Sequence, residues 1–394
     1  MVVLTFDEAR ACVLREVGVS MGTETVVLAE AAGRVLAEEI AADRDYPPFP
    51  RSARDGFAVR AADLPGELRV IGEVRAGEVF SGRVEAGEAV EIMTGAPVPD
   101  GADAVVMVEH TERTGDRVRI DRSSQSGDNF NPRGIEARAR DGVLSAGVRI
   151  GHSEVALLAT VGHMQVLVYR RPRVAIVSTG DEIVEPGEQP AAHQIRNSNA
   201  ASLAVQVCRA GGRPEILPVA RDTYESTRTL VKQGLDSDLL LLSGGVSAGK
   251  YDLVEKVLAE FGAEFYFDRV MIQPGQPLVF GKACGKYFFG LPGNPGSTMI
   301  TFETIARAAI EKMAGLRVPA LPLLRARLTR PFHQKPGLTR FLPAVLSADG
   351  ATVEPAKSHG SGDVTALARC NAFLVTEPER TEWRLGDDIR VLTK

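Results

Sequence analysis

The feature that most constrains this chain is the alternation of short apolar strands, glycine loops and amphipathic helices across residues 173–315. Arg173–Ser178 reads as a strand and runs into the turn Thr179-Gly-Asp-Glu182. A helix over 199–210 stops at Gly211-Gly212, because glycine readily takes the left-handed conformation that ends a helix. A strand at 215–219, a helix at 223–234 and a strand at 238–242 follow, then the loop Ser243-Gly-Gly-Val-Ser247. A helix at 252–261, a strand at 264–271 and a helix near 297–314 complete the run. This order predicts a mostly parallel, doubly wound sheet with helices on both faces. Ligands of such folds sit beyond the carboxyl ends of the strands, where these glycine loops fall.

The flanks read differently. At 394 residues the chain exceeds one ordinary core and suggests roughly two to four domains. Residues 5–17 and 24–42 read as helices, the second with Leu28, Ala31, Ala32, Val35, Leu36 and Ile40 at helical spacing. Pro47-Pro48-Phe49-Pro50 ends that region, since successive prolines cannot continue a helix. From 51 to 135, β-branched runs separated by Gly, Asp and Ser predict a small β domain. These runs are Leu68–Ile71, Ala89–Met93, Ala104–Glu109 and Arg117–Ile120. A helix at 152–162 returns to the first region, and residues 316–394 read as a small β barrel or sandwich.

Charge and cysteine usage exclude several function classes. A net charge of −5 without a basic block argues against a nucleic-acid surface, which would need a positive stripe against phosphates. Arginines and backbone amides remain able to hold a small anion. Lysine is absent before Lys232, so upstream cationic contacts must come from arginine. No apolar run reaches membrane-span length, and the opening residues lack the pattern of a signal peptide. Cys12, Cys208, Cys284 and Cys370 lie far apart, and the six histidines are scattered, so neither a zinc site nor a disulfide framework is predicted. A reducing cytoplasm is the expected location.

Several motifs carry candidate chemistry, each with a plainer structural alternative. Ser243-Gly244-Gly245-Val246-Ser247 between strand and helix is either an anion cradle of backbone amides and hydroxyls or a tight turn. Leu291-Pro292-Gly293-Asn294-Pro295 opens a helix, either as ordinary first-turn chemistry or as a rigid binding edge. Asp181-Glu182, Asp222 and Asp252 sit at strand-to-helix junctions of one domain. They can converge on Mg²⁺ through oxygen ligands or serve in acid–base work, although each alone suits a cap or turn. In the first β domain, Asp55 stands at an Asp-Gly turn and Thr94 in a Gly/Pro loop.

In order and spacing, six stretches resemble the molybdopterin molybdenumtransferase family, whose eukaryotic members include the gephyrin catalytic domain. They are Pro47–Val59, Ile92–Val106, Ser178–Glu182, Ser243–Ser247, Pro274–Pro277 and Gly290–Pro295, and the resemblance spans nearly all of residues 1–394. It implies a multidomain α/β subunit in four parts: a helical linker region (1–48 plus 136–170), an inserted β domain (49–135), a central doubly wound pterin-binding domain (171–316) and a C-terminal β-barrel domain (317–394). It further implies a homodimer in which the Asp55/Thr94 region of one copy faces the central domain of the other. A transient contact with the molybdopterin adenylyltransferase is also implied.

The expected reaction is insertion of molybdate into adenylylated molybdopterin, with Mg²⁺ as the metal and AMP as product. Asp55, Thr94, Glu182, Asp222 and Asp252 form the catalytic set that the resemblance assigns, with Glu182, Asp222 and Asp252 as metal ligands. Ser243, Gly244, Gly245, Ser247, Pro292 and Pro295 are assigned to substrate. Breaking a phosphoanhydride needs charge neutralisation more than a protein nucleophile, which acids holding a metal supply.

The sequence departs from the family at the oxyanion contacts. Members read Lys-Pro-Gly-Lys-Pro where this chain has Gln273-Pro274-Gly275-Gln276-Pro277, and Gly-Arg-x-Glu-Phe-x-Arg where it has Gly337–Pro343. Arg269, where many members have lysine, together with Arg340, Gln273 and Ser361, is expected to hold molybdate instead. The alternatives are the sister activity, adenylylation of the pterin from Mg-ATP, and a non-catalytic pterin-binding scaffold.

Overall fold

The structure, a computed structural model, describes residues 2–19, 22–245 and 253–394. Helix α1 (Phe6–Glu16) starts at a capping box in which Thr5 and Glu8 satisfy each other's orphan amides. Its buried face, Phe6, Ala9, Cys12 and Val13, joins the core of the central α/β unit rather than the linker region. The adjoining strand Val3–Leu4 pairs in parallel with Arg269–Val270.

The expected helix over 24–42 is not formed. Thr23–Val27 is a strand paired antiparallel with Gln165–Tyr169, a single 3-10 turn spans Leu28–Glu30, and Ile40–Ala41 pairs with Gly142–Leu144. Gly33 at φ +77° breaks any helix there, and the β-branched run Thr-Glu-Thr-Val-Val finds a cross-strand partner. The apolar positions are nonetheless core: Ala31, Leu36 and Ile40 pack with Leu158 of helix α2 (His152–Thr160) and with Val166 and Val168. The linker region is therefore built largely from strands and turns.

The inserted β region forms a six-stranded sheet in the order Ala104–Met107, Gly56–Val59, Glu88–Ile92, Gly66–Val74, Arg117–Ile120, Glu112–Thr114. The four runs expected as strands are all present. Strand Gly56–Val59 runs antiparallel to both its neighbours. A side chain at Gly56 would collide with the carbonyl of Val106, so this close approach requires glycine.

The central sheet has the order Arg213–Ile216, Arg173–Ser178, Leu239–Ser243, Lys286–Leu291, Val279–Ala283, Glu264–Phe267. The first four strands are parallel and the last two antiparallel. Alternate residues of the central strands feed two cores. Val174, Ile176, Leu239 and Leu241 pack with α1, helix α3 (Ser198–Ala210) and the later helices. Ala175, Val177, Leu240 and Leu242 pack under helices α4 (Tyr224–Gly234) and α5 (Leu253–Glu260). Burial on both faces explains the uninterrupted leucine run at 239–242. The long helix expected near 297–314 begins earlier and has three parts: α6 (Pro295–Thr301), a π turn (Phe302–Ala306) and α7 (Arg307–Met313).

The segment expected as one strand over 264–271 instead serves two partners, and the residues just after it serve a third. Glu264–Phe267 edges the central sheet, Arg269–Val270 pairs with the N-terminal strand, and Ile272–Gln273 pairs in parallel with Thr339–Arg340. In the C-terminal region, Thr339–Leu346, Thr352–Pro355, Leu323–Leu328, Asp388–Thr393 and Ala372–Val375 close on themselves as a barrel. Phe341, Phe373 and Val375 of the barrel and Leu367 of helix α8 (Val364–Arg369) continue the central core, so barrel and sheet share apolar packing.

Candidate functional site

At the carboxyl ends of the parallel strands lies a cavity of about 540 Å³. Its wall includes Glu182 and Asp222 on one side, Ser243, Gly244 and Gly245 on the floor, and Pro292 and Pro295 opposite. The alternation of strand and helix thus brings seven of the expected site residues to one sheet edge. Ser247 and Asp252 lie outside the described residues.

The glycine loop works by leaving room rather than by offering every amide. The Gly244 N–H donates to the carbonyl of Leu291 at 3.1 Å, so it is not free for an anion. What Gly244 and Gly245 provide is shape, with φ of +91° and +64°. A Cβ on Gly244 would sit 2.9 Å from the carbonyl oxygen of Thr179, and one on Gly245 would lie 2.9 Å from its hydroxyl.

Asp222 has no capping duty: Thr223 is the N-cap of α4 and accepts from the Ser226 amide. Asp222 and Asp181 instead brace the two loops, the Asp222 N–H donating to the Asp181 carboxylate at 3.1 Å and the reverse contact being long at 3.4 Å. Arg221 Nη1 donates to the carbonyls of Asp181 and Ile183 at 3.2 and 3.1 Å, clamping the turn that carries Glu182. Among the described residues no group of three or more His, Cys, Asp or Glu gathers as a metal site. Two cavity carboxylates, Glu182 and Asp222, still suit Mg²⁺, which commonly takes one or two protein carboxylates and completes its shell with phosphate and water.

A second cavity of about 270 Å³ lies between α6 and the barrel. Gln273, Arg340 and Ser361 line it, and Arg340 is the sole charged side chain among its described lining residues. The parallel pairing sets Gln273 opposite Arg340. Arg340 Nη2 donates to the carbonyl of Lys335 at 3.0 Å, while its buried Nε has no partner among the described residues. The two cavities abut at the start of α6: Pro295 lines the first and Gly296 the second, and the Gly296 N–H donates to the Ser361 carbonyl at 2.7 Å. Arg269 lines neither cavity, and its backbone pairs with Val3. Of the two arginines expected at the oxyanion, Arg340 and not Arg269 is among the described lining of these cavities.

Asp55 and Thr94 are brought together in the inserted β region. One carboxylate oxygen of Asp55 accepts from the Thr94 amide at 2.6 Å and from its hydroxyl at 2.7 Å. The amide and then the hydroxyl hold the Asp55 carboxyl below its usual range, with slight opposition from desolvation. The pair does not line the cavity of its own chain. Because a lowered carboxylate pKa favours the fold only above the unfolded value, this contribution is present at neutral pH and is lost as pH falls through the folded value. Thr94→Val is expected to raise the Asp55 pKa toward the ordinary carboxylate value, which a ¹³C carboxyl titration by NMR reads directly. An unchanged titration would show that the hydroxyl does not hold the charge.

Four polar residues of the first cavity, the run Arg196, Asn197, Ser198 and Asn199, escaped sequence reasoning, and Thr179 was read only as part of the turn before Glu182. An asparagine ahead of a helix reads as a cap, and Asn197 is indeed the N-cap of α3. Nothing in the spacing distinguishes Asn199 from helix filler.

Known proteins match the chain throughout. Models described as the MoeA N-terminal region (domain I and II), a probable molybdopterin binding domain and the MoeA C-terminal region (domain IV) match residues 4–162, 175–312 and 325–394. A molybdopterin molybdenumtransferase of Staphylococcus epidermidis is 34% identical over 375 residues, covering 93% of this chain and 90% of the relative. One from Staphylococcus aureus is 33% identical over 383 residues, covering 95% and 91%. A crystal structure of the molybdopterin biosynthesis moeA protein of Pyrococcus horikoshii OT3 superposes with a TM-score of 0.82 at 28% identity, covering both chains fully.

Proposed function

Because the chain belongs to the MoeA family of molybdopterin molybdenumtransferases, which act in molybdenum cofactor biosynthesis, we propose that it inserts molybdenum from molybdate into adenylylated molybdopterin with release of AMP. The observation that carries this reading is the pair of neighbouring cavities, one lined by Glu182 and Asp222 together with Arg196, the other with Arg340 as the sole charged side chain among its described lining, the consecutive residues Pro295 and Gly296 belonging one to each. Two substrates of opposite requirement, a phosphoanhydride that needs a metal-binding acid pair and an oxyanion that needs a cation, then meet at one place.

The first cavity takes the pterin with its phosphoanhydride. Glu182 and Asp222 would hold Mg²⁺, with Asp252 as the further acid. When bound, Mg²⁺ neutralises phosphate charge and eases departure of AMP. Cleavage adds water across the P–O–P bridge, giving AMP and the phosphorylated pterin. The dithiolene sulfurs, which the substrate supplies, replace oxygen on molybdate, and that oxygen leaves as water. Arg340, with Gln273 and Ser361 beside it, fixes the oxyanion, its planar fork suiting two oxygens at once.

Asp55 and Thr94 complete the cavity of a second copy in a homodimer, which accounts for a preorganised carboxylate standing away from its own chain's cavity. No helix among the described residues is long and apolar enough to cross a membrane, in keeping with cytoplasmic work. The product identifies the reaction. Purified protein given adenylylated molybdopterin, Mg²⁺ and molybdate is expected to release AMP and leave molybdenum on the pterin. Pyrophosphate from ATP and free molybdopterin would mark the adenylyltransferase reaction instead, and tight pterin binding without AMP a scaffold.

A further inference from the structure

Two polar atoms on the first cavity are more than nine-tenths buried and have no hydrogen-bond partner among the described residues: Thr179 Oγ1, on a residue 7% exposed, and Asn199 Oδ1, on one 8% exposed. Buried polar groups are normally paired, so unpaired atoms on residues that line a cavity point to a ligand. The chemistry fixes which kind. Asn199 Nδ2 lies 2.7 Å from the carbonyl oxygen of Gly293 and 2.8 Å from Ser243 Oγ. A carbonyl oxygen only accepts, so the atom facing it must be the amide nitrogen, and the amide cannot be flipped. Both amide hydrogens are then spent, and Oδ1 is left as an unpaired, enclosed acceptor on a residue that lines the cavity. Phosphate and molybdate oxygens are acceptors too and are disfavoured there. The Thr179 hydroxyl can donate or accept, so it places no such restriction.

We infer that Asn199 is a specificity-determining residue that accepts an N–H from the heteroaromatic ring of the substrate, and that the ring is the pterin. The inference rests on the reading of this cavity as the pterin site. It fixes the direction of the bound substrate: the aminopyrimidinone edge lies against α3 and Gly293, and the anhydride points toward Glu182 and Asp222. Adenine carries N–H donors as well, so the same acceptor chemistry could serve the adenylate end, and the two sources must be separated.

The test measures affinity, by fluorescence quenching or calorimetry, for pterin and for its 2-dimethylamino-3-methyl derivative, which lacks N–H on that edge. AMP and N6,N6-dimethyl-AMP form the second arm. Wild type is expected to prefer pterin over the methylated derivative by about tenfold or more, the scale of a hydrogen bond to a buried acceptor. Asn199→Ala is expected to bring that ratio to within about twofold of one. Asn199→Asp keeps an acceptor oxygen in the place of Oδ1, and should retain a preference for the N–H-bearing pterin that Asn199→Ala loses. A merely structural role for Asn199 would weaken both pterins equally and preserve the ratio, which would overturn the inference. So would a ratio that collapses in Asn199→Asp as fully as in Asn199→Ala. Discrimination confined to the adenine arm would overturn the assignment to the pterin. Failure of wild type to bind any of the four probes would overturn the cavity reading itself, and the inference with it.

Discussion

Asp222→Ala is expected to lower the rate of AMP release by roughly two to three orders of magnitude with little change in thermal stability. Both halves follow from its surroundings. The residue is exposed, Thr223 performs the capping of α4, and the one amide donated to the Asp222 carboxylate comes from Asp181 at a long 3.4 Å. Little folding energy therefore depends on that side chain. Its carboxylate faces the same cavity as Glu182, where charge neutralisation of a phosphoanhydride is the main catalytic task. Asp222→Asn keeps size and accepting oxygen but removes the charge, so it should lose nearly as much rate. Retained activity in the asparagine variant would show that hydrogen bonding, and not charge, is what Asp222 supplies. A fall in melting temperature matching the lost activity would assign it to structure.

The second large effect is expected at Gly244. Gly244→Ala combines a φ of +91° with a Cβ placed 2.9 Å from the Thr179 carbonyl oxygen, a backbone atom that cannot rotate away. The left-handed conformation alone costs roughly 1 kcal/mol for a residue with a side chain. The collision must also push apart the strand ends that form the cavity floor. Gly262→Ala is the control, since Gly262 has φ +66° and nothing within 4 Å of the added carbon. Denaturant unfolding should show Gly244→Ala losing about 1–3 kcal/mol more than Gly262→Ala. Pterin affinity should fall in Gly244→Ala alone. Equal losses in the two variants would show that the cavity floor yields without cost.

These two residues were legible in the sequence because a parallel sheet leaves a simple record. Buried strands read as apolar runs, the loops after them carry glycine and acid, and topology delivers those loops to one edge. That logic placed Glu182, Asp222 and Ser243–Gly245 correctly without any side-chain geometry. It failed where the pairing partner is distant in sequence. Leu28 to Ile40 has helical spacing, yet Gly33 and the partner strand Gln165–Tyr169 decide the local structure. Arg269 was expected at the oxyanion because it stands where many members have lysine, whereas the segment read as one strand over 264–271 is divided between two partners and the Arg269 backbone pairs with Val3. Arg340 was visible as a cation near a missing arginine, but its place opposite Gln273 comes only from the parallel register of two short strands. Asn199 left no trace, since what distinguishes it is an unpaired oxygen in a buried wall.

The proposed division of work assigns anhydride cleavage to the acids around Gly244 and oxyanion capture to Arg340. The most direct measurement is the rate of AMP release as molybdate is titrated at saturating adenylylated pterin and Mg²⁺, in wild type and Arg340→Ala. Release should depend on molybdate, and Arg340→Ala should raise the half-saturating concentration by about tenfold or more while the limiting rate stays close to that of wild type. AMP released equally well without molybdate would contradict the account. An unchanged half-saturation with a depressed limiting rate would likewise show that Arg340 does not hold the oxyanion.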